Sequence, residues 1–276
     1  VAEALPPLRE IVARYEINAR RSLGQHFLFD RNLARRIAAA AGELGHVSVV
    51  EIGAGPGGLT RALLAADAAR VVAIERDPRC VAALGDLARH YPERLTILAG
   101  DALSIDPVAL VETPRKIVAN LPYNIATPLL LGWLDRIREF ESLTLMFQRE
   151  VALRLVAKPR SKAYGRLAVL VQWLAETRIL FDVPAGAFLP PPKVTSSLVA
   201  IAPRSKPVAD ADKTVLERVV AAAFGQRRKM LRSSLAPLGL PLGPLLERAG
   251  IAPTARAEEL SIAAYCALAR AAESAQ

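Results

Sequence analysis

Short, uninterrupted apolar runs recur from about residue 47, separated by longer stretches whose apolar positions return every three or four residues. VSVVEIG (47–53), RVVAIE (70–75), RLTILAG (94–100), KIVAN (116–120) and SLTLMFQ (142–148) are short and rich in β-branched residues. That pattern predicts five strands. LTRALLAADA (59–68), PRCVAALGDLARH (78–90), TPLLLGWLDRI (127–137) and EVALRLVAK (150–158) carry helical spacing. Asp77 is a ready N-cap for the second of these, with Pro78 at its first helical position. Alternation of this kind predicts a doubly wound α/β sheet with right-handed crossovers.

The pattern then changes. ETRILFDV (176–183) and TSSLVAIA (195–202) read as two late strands around the connection PAGAFLPPPKV, where Pro190, Pro191 and Pro192 impose a stiff, extended backbone. After PRSKPVADAD (203–212) the remaining apolar segments all have helical spacing. Two domains are therefore expected, 1–203 and 204–276, the second small and all-helical.

Composition narrows the class of protein. Hydrophobic residues make up 52% of the 276, enough for a real core and too many for a disordered chain. Thirty-six Lys and Arg against 27 Asp and Glu give a net charge of +9, which favours a polyanionic partner, nucleic acid before membrane. Cys80 and Cys266 are too few and too far apart for a disulfide framework, and His26, His46 and His90 lack metal-ligand spacing, so no metal is expected. The opening residues do not resemble a signal peptide. No apolar run approaches the length of a membrane span; LAVLVQWLA (167–175) is short and holds Gln172, so a soluble cytoplasmic protein is expected.

The candidate chemistry sits at the ends of the strands. In VVEIGAGPGGLT, Gly53, Gly55 and Gly58 form G-x-G-x-x-G between a strand and a helix, a sharp turn against which a ligand can lie. Glu75 ends the second strand, where a carboxylate meets a ribose diol. NAD and S-adenosylmethionine both carry that diol. Asp101, at the end of the third strand, is placed to accept from an adenine amine, and Asn120 ends the fourth. No His or Lys marks a hydride pocket, which weighs against a dehydrogenase.

The stretch Asn120-Leu121-Pro122-Tyr123 is the most specific feature. An exocyclic adenine amine is a poor nucleophile, because its lone pair is delocalised into the ring. Accepting hydrogen bonds from both of its N–H groups localises that pair and stabilises the charge that develops on methylation. Asn120 Oδ1 and the Leu121 carbonyl can be the two acceptors, with Pro122 fixing the backbone and Tyr123 stacking on an unstacked base.

RRSLGQHFLFD (20–30), VVEIGAGPGGLT, VVAIER, GDAL, NLPYNIATPLL, MFQREVALRL, SKAYGRLAVL, AFLPPPKVTSSLV and FGQRRKMLRSSL together cover most of the chain. By these segments it resembles the bacterial small-subunit (16S) ribosomal RNA adenine dimethyltransferases, the KsgA family. The resemblance implies a Rossmann-like S-adenosylmethionine-dependent methyltransferase sheet with a small C-terminal all-helical domain. It implies N6,N6-dimethylation of two adjacent adenosines in the 3′-terminal hairpin loop of 16S rRNA, within the small subunit or its precursor. Carried over, the cofactor contacts fall on His26, Leu28, Gly53, Gly55, Glu75, Asp101 and Asn120. Segment 1–45 is expected to close the cofactor site. Phe188 matches the aromatic that stacks on the base opposite Tyr123. The family commonly has Asn at the position of His26, and Ser at that of Ala126, a change read as local capping.

Arg227, Arg228, Lys229 and Arg232 of GQRRKMLRSSL, with Arg20 and Arg21, are expected to meet rRNA phosphates, which position RNA without reading its sequence. No apolar seam demands a dimer, so a monomer is expected. The rival functions are a resistance-type methyltransferase of large-subunit rRNA, a DNA N6-adenine methyltransferase and a non-catalytic ribosome-assembly factor.

Overall fold

The structure, a computed structural model, describes residues 5–20 and 23–275. In chain order its helices and strands are α1 (Leu8–Arg14), β1 (Phe27–Leu28), α2 (Arg31–Ala40), β2 (Ser48–Ile52), α3 (Gly58–Ala65), β3 (Arg70–Glu75) and α4 (Pro78–His90). There follow β4 (Leu95–Ala99), β5 (Arg115–Asn120), α5 (Tyr123–Trp133), β6 (Ser142–Gln148), α6 (Arg149–Leu155), α7 (Arg166–Leu174), β7 (Ala175–Val183), β8 (Phe188–Leu189) and β9 (Ser196–Pro203). The chain ends in α8 (Lys213–Gly225), α9 (Leu231–Ser234), α10 (Leu242–Arg248) and α11 (Ile262–Glu273).

Two compact units result: Val1–Ala152 with Arg178–Pro203, and Leu153–Thr177 with Arg204–Gln276. The division expected at residue 203 gave 153–177 to the first domain; here that segment belongs to the helical unit. The cause is α7, an apolar helix. Ala168, Val169, Leu170, Val171 and Trp173 are all buried, and α7 packs on α8 and α11. A helix apolar on nearly every side needs helical neighbours on nearly every side.

In the first unit the strand order is β4-β3-β2-β5-β6-β9-β7. The pairs β2–β3, β3–β4, β2–β5 and β5–β6 are parallel. The central strands are buried except at their end residues, as parallel strands covered on both faces must be. The sheet is mixed, however: β9 runs antiparallel to β6, with Gln148 opposite Ser196. β8 stands outside this sheet, paired with β1 in a separate two-stranded one. The chain passes from β2 outward to β3 and β4, then returns to the other side of β2 for β5 and β6. Between β2 and β5 the direction of winding reverses, which opens a crevice outside their carboxyl ends. Gly53 and Asn120 sit at that edge.

Asp77 caps α4, with Pro78 in its first turn, as the sequence predicts. Helix α5 begins earlier than predicted, at Tyr123 immediately after Pro122. Ala126 therefore lies inside the helix and is buried, so a capping role for this position does not hold. Among the described residues no helix is long and apolar enough to cross a membrane.

Candidate active site

The crevice is walled by residues 23–27, the turn after β2, the ends of β3 and β4, and the segment Asn120–Ile125. The turn has the backbone that only glycine adopts freely. Gly55 has φ +56°, and a Cβ there would lie 3.0 Å from the Phe27 ring. At Gly58 a Cβ would stand 2.4 Å from the Leu28 carbonyl oxygen. These glycines thus let strand β1 close against the turn, while Gly53 and Gly55 also face the cavity.

Glu75 is nearly buried beside them. Its Oε2 accepts from the Gly55 N–H at 2.7 Å, and its Oε1 accepts from the N–H groups of Arg76 and Asp77, each at 2.8 Å. Burial raises its pKa, and the three N–H donors work against that rise. With a single protein donor on Oε2, the carboxylate keeps acceptor capacity toward the cavity, which suits a ribose hydroxyl. Asp101 also lines the cavity; its Oδ1 accepts from the Leu103 N–H at 3.0 Å and its Oδ2 from Arg76 at 3.1 Å. A glycine turn, a near-buried acceptor at the second strand and a further carboxylate at the third fit the ribose and adenine of S-adenosylmethionine.

One latch at this site carried no signal in the sequence. The Asp77 carboxylate accepts from both Nε and Nη2 of Arg79, at 3.0 and 2.6 Å, and from Gln25 Nε2 at 3.1 Å. The same Arg79 donates to the carbonyls of Glu16 and Asn18. Those bonds hold Glu16, Asn18 and Gln25 against the corner between β3 and α4. Chiefly through the Arg79 hydrogen bond, the Asp77 carboxyl is held at a pKa of about 2.

At the tip of β5 the Asn120 side chain donates from Nδ2 to the His26 carbonyl at 3.1 Å. A carbonyl can only accept, so this contact fixes which end of the amide is nitrogen and turns Oδ1 away as an acceptor. The Pro122 backbone is extended, with φ −58° and ψ 125°. The N–H groups of Ile125 and Ala126, in the first turn of α5, bond to the Pro122 carbonyl and leave the Leu121 carbonyl out of the helix. Tyr123 is pinned at both ends. Its hydroxyl lies 2.5 Å from Ser196 Oγ, and its ring centroid lies 5.5 Å from that of His26. Burial raises the Tyr123 pKa, keeping the ring a neutral phenol. His26 is held in turn by Nδ1 against the Pro190 carbonyl at 2.8 Å.

The structure thus brings His26, Gly53, Gly55, Glu75, Asp101, Asn120, Leu121 and Tyr123 around one cavity. Two expected residues lie elsewhere. Leu28 is 5% exposed and belongs to the apolar core, with its carbonyl against Gly58. Phe188 pairs with Leu28 across β1 and β8, and its ring is buried in the same core instead of facing Tyr123. Paired β-strands hold both side chains on the core face.

The RNA-facing expectations also divide. Arg20 is exposed, its N–H bonded to Gln25 Oε1 at 2.9 Å, and Arg21 lies outside the described residues. Arg227 to Lys229 occupy a turn after α8. Arg227 is spent inside the second unit, donating to the Glu258 carboxylate at 2.7 Å and to the carbonyls of Lys162 and Ser161. Arg228, Lys229 and Arg232 remain exposed.

Residues 16–274 match the model of a family described as ribosomal RNA adenine dimethylase. Ribosomal RNA small subunit methyltransferase A of Paramagnetospirillum magneticum is 62% identical over 267 residues, spanning 97% of this chain and 95% of the relative. The protein of the same name from Rhodospirillum rubrum is 58% identical over 273 residues, spanning 99% and 94%. Among solved structures, a dimethyladenosine transferase from Plasmodium falciparum superposes with a TM-score of 0.76 at 25% identity, covering 88% of this chain and 96% of that one. The 23S rRNA methyltransferase ErmE superposes with a TM-score of 0.67 at 27% identity, covering 90% and 99%.

Proposed function

The chain belongs to the ribosomal RNA adenine dimethylase family, and on that premise we propose that it dimethylates N6 of two adjacent adenosines in the 3′-terminal hairpin loop of 16S rRNA. As a member of that family it is an S-adenosylmethionine-dependent rRNA adenine dimethyltransferase. When bound, S-adenosylmethionine supplies an electrophilic methyl group on a sulfonium centre. Glu75 and Asp101 hold its ribose and adenine, with His26 and the turn at Gly53 and Gly55 around them.

The observation that carries the chemistry is the fixed amide of Asn120. Because Nδ2 is engaged by the His26 carbonyl, Oδ1 is set in advance as an acceptor for one N6–H of the target adenosine. The Leu121 carbonyl accepts from the other. Both acceptors strengthen as positive charge grows on N6, so they stabilise the transition state more than the ground state. Nothing need reorganise at the moment of reaction, since Pro122 and the His26 carbonyl already hold them. The Tyr123 ring, anchored through Ser196, offers the extruded base a flat face. Small-subunit rRNA is the partner, Arg228, Lys229, Arg232 and Arg20 engage its phosphates, and the protein works as a monomer.

The likeness to ErmE keeps one rival in view, transfer to large-subunit RNA. Labelled methyl groups from S-adenosylmethionine should enter unmethylated small subunits and be recovered as N6,N6-dimethyladenosine. Label confined to large subunits would replace this reading with the rival.

A further inference from the structure

A second groove adjoins the crevice, sharing Gly24, Gln25, His26 and Tyr123 with it and walled on its far side by Gln148 and Pro190–Val194. We propose that Gln148 reads the target base, its side-chain amide bonding a ring nitrogen next to N6 of the adenine while Asn120 and Leu121 hold N6 itself. The proposal rests on the reading of this strand tip as the adenosine site.

Strand register argues for it. Asn120 of β5 lies level with Met146 of β6, so Asn120 and Met146 project from the same face of the sheet. Gln148 is two residues beyond Met146 and therefore projects from that face too, one step farther toward the open edge. Strand rise and spacing put the two amides' Cα atoms roughly 8 Å apart. A purine with one hydrogen bond at each end fits between side chains so spaced.

The neighbour across the other ladder points the same way. Gln148 and Ser196 are directly opposed on β6 and β9, so their side chains lie side by side. Ser196 is the residue that anchors the Tyr123 hydroxyl. The Gln148 amide thus stands next to the fixed end of the ring proposed to stack on the base. Among the described residues that amide has no hydrogen-bond partner of its own, although Gln148 is half-buried. The amide atoms of Gln148 are not among the buried unpaired ones, so they stay open to solvent and available to a ligand. The amide nitrogen of Gln148 can donate to an adenine ring nitrogen, N1 or N7, while both N6–H groups stay with Asn120 and Leu121. Lys193, exposed on the same groove, offers a cation to a nucleotide's phosphate.

The test pairs a protein change with a substrate change. Small subunits are reconstituted with adenosine, 1-deazaadenosine or 7-deazaadenosine at the target position, and kcat/KM is measured for wild type and Gln148→Leu. For wild type, one of the two deaza substrates should fall about 5- to 150-fold, the fold-change equivalent to the roughly 1–3 kcal/mol lost when one such hydrogen bond is left unmade. Gln148→Leu should show a similar fall on adenosine and no further fall on that same analogue. Independent, multiplying losses on both analogues, or no loss on adenosine, would overturn the role. Melting temperature and calorimetric binding of S-adenosylmethionine should match wild type. A drop in either, with equal losses on all three substrates, would mark Gln148 as structural and also overturn the proposal. Failure of the underlying substrate assignment is visible separately, as wild type that leaves unmodified small subunits unlabelled.

Discussion

At the scale of the residue, the proposed chemistry turns on a single amide orientation. Asn120 would be an ambiguous strand-tip residue but for the His26 carbonyl, which leaves Oδ1 as the free acceptor. One strand over, Glu51 illustrates a different cost. It is 2% exposed, its Oε2 has no hydrogen-bond partner, and burial, with Glu75 adding to it, pushes its pKa from 4.5 up to about 8. A carboxyl neutral in the fold but ionised in the unfolded chain contributes stability that is whole below pH 4.5 and is lost as pH rises toward 8. Glu51→Gln should therefore melt with a shallower decline than wild type between pH 5 and pH 8. Parallel melting curves across that range would mean that Glu51 is ionised in the fold.

Elements show where sequence patterns suffice and where they fail. The five strands from 47 to 148 were legible because each is a short, dense apolar run, and Glu75, Asp101 and Asn120 were legible because strand ends in such sheets converge. Helices α1 and α2 were not foreseen. Helix α2 depends on Asp30, whose carboxylate accepts from the N–H groups of Asn32 and Leu33, a cap with no apolar run after it to draw notice. The start of α5 was missed because Asn-Leu-Pro-Tyr reads as a turn, whereas Pro122 serves as the cap residue itself. Strands β1 and β8 are only two residues each and exist by pairing with one another. That pairing is tertiary, and it is why Leu28 and Phe188, assigned by resemblance to the site, are held in the core. The Asp77–Arg79–Gln25 latch joins residues more than fifty positions apart, and no local pattern marks it. Arg227 looked like its basic neighbours, and only the fold shows it bonded to Glu258.

The whole molecule joins a sheet-based unit that holds the reaction to a helical unit that carries exposed cations. With a net charge of +9, its attraction to RNA is general, and local cations decide how the RNA is held. Replacing Arg228, Lys229 and Arg232 together by Ala should lower the slope of log affinity against log salt by about two, at roughly 0.7 for each single-strand phosphate deprived of its cation. An unchanged slope would remove these residues from the interface. On the function proposed, the reaction depends on the strand tip. The most direct measurement is the single-turnover rate of methyl transfer to small subunits for wild type and Asn120→Ala, with both substrates saturating. The account predicts a fall of about 10²- to 10³-fold, the usual effect of losing one preorganised group aimed at developing charge. An unchanged rate would contradict it, because Asn120 Oδ1 would then have no part in activating N6.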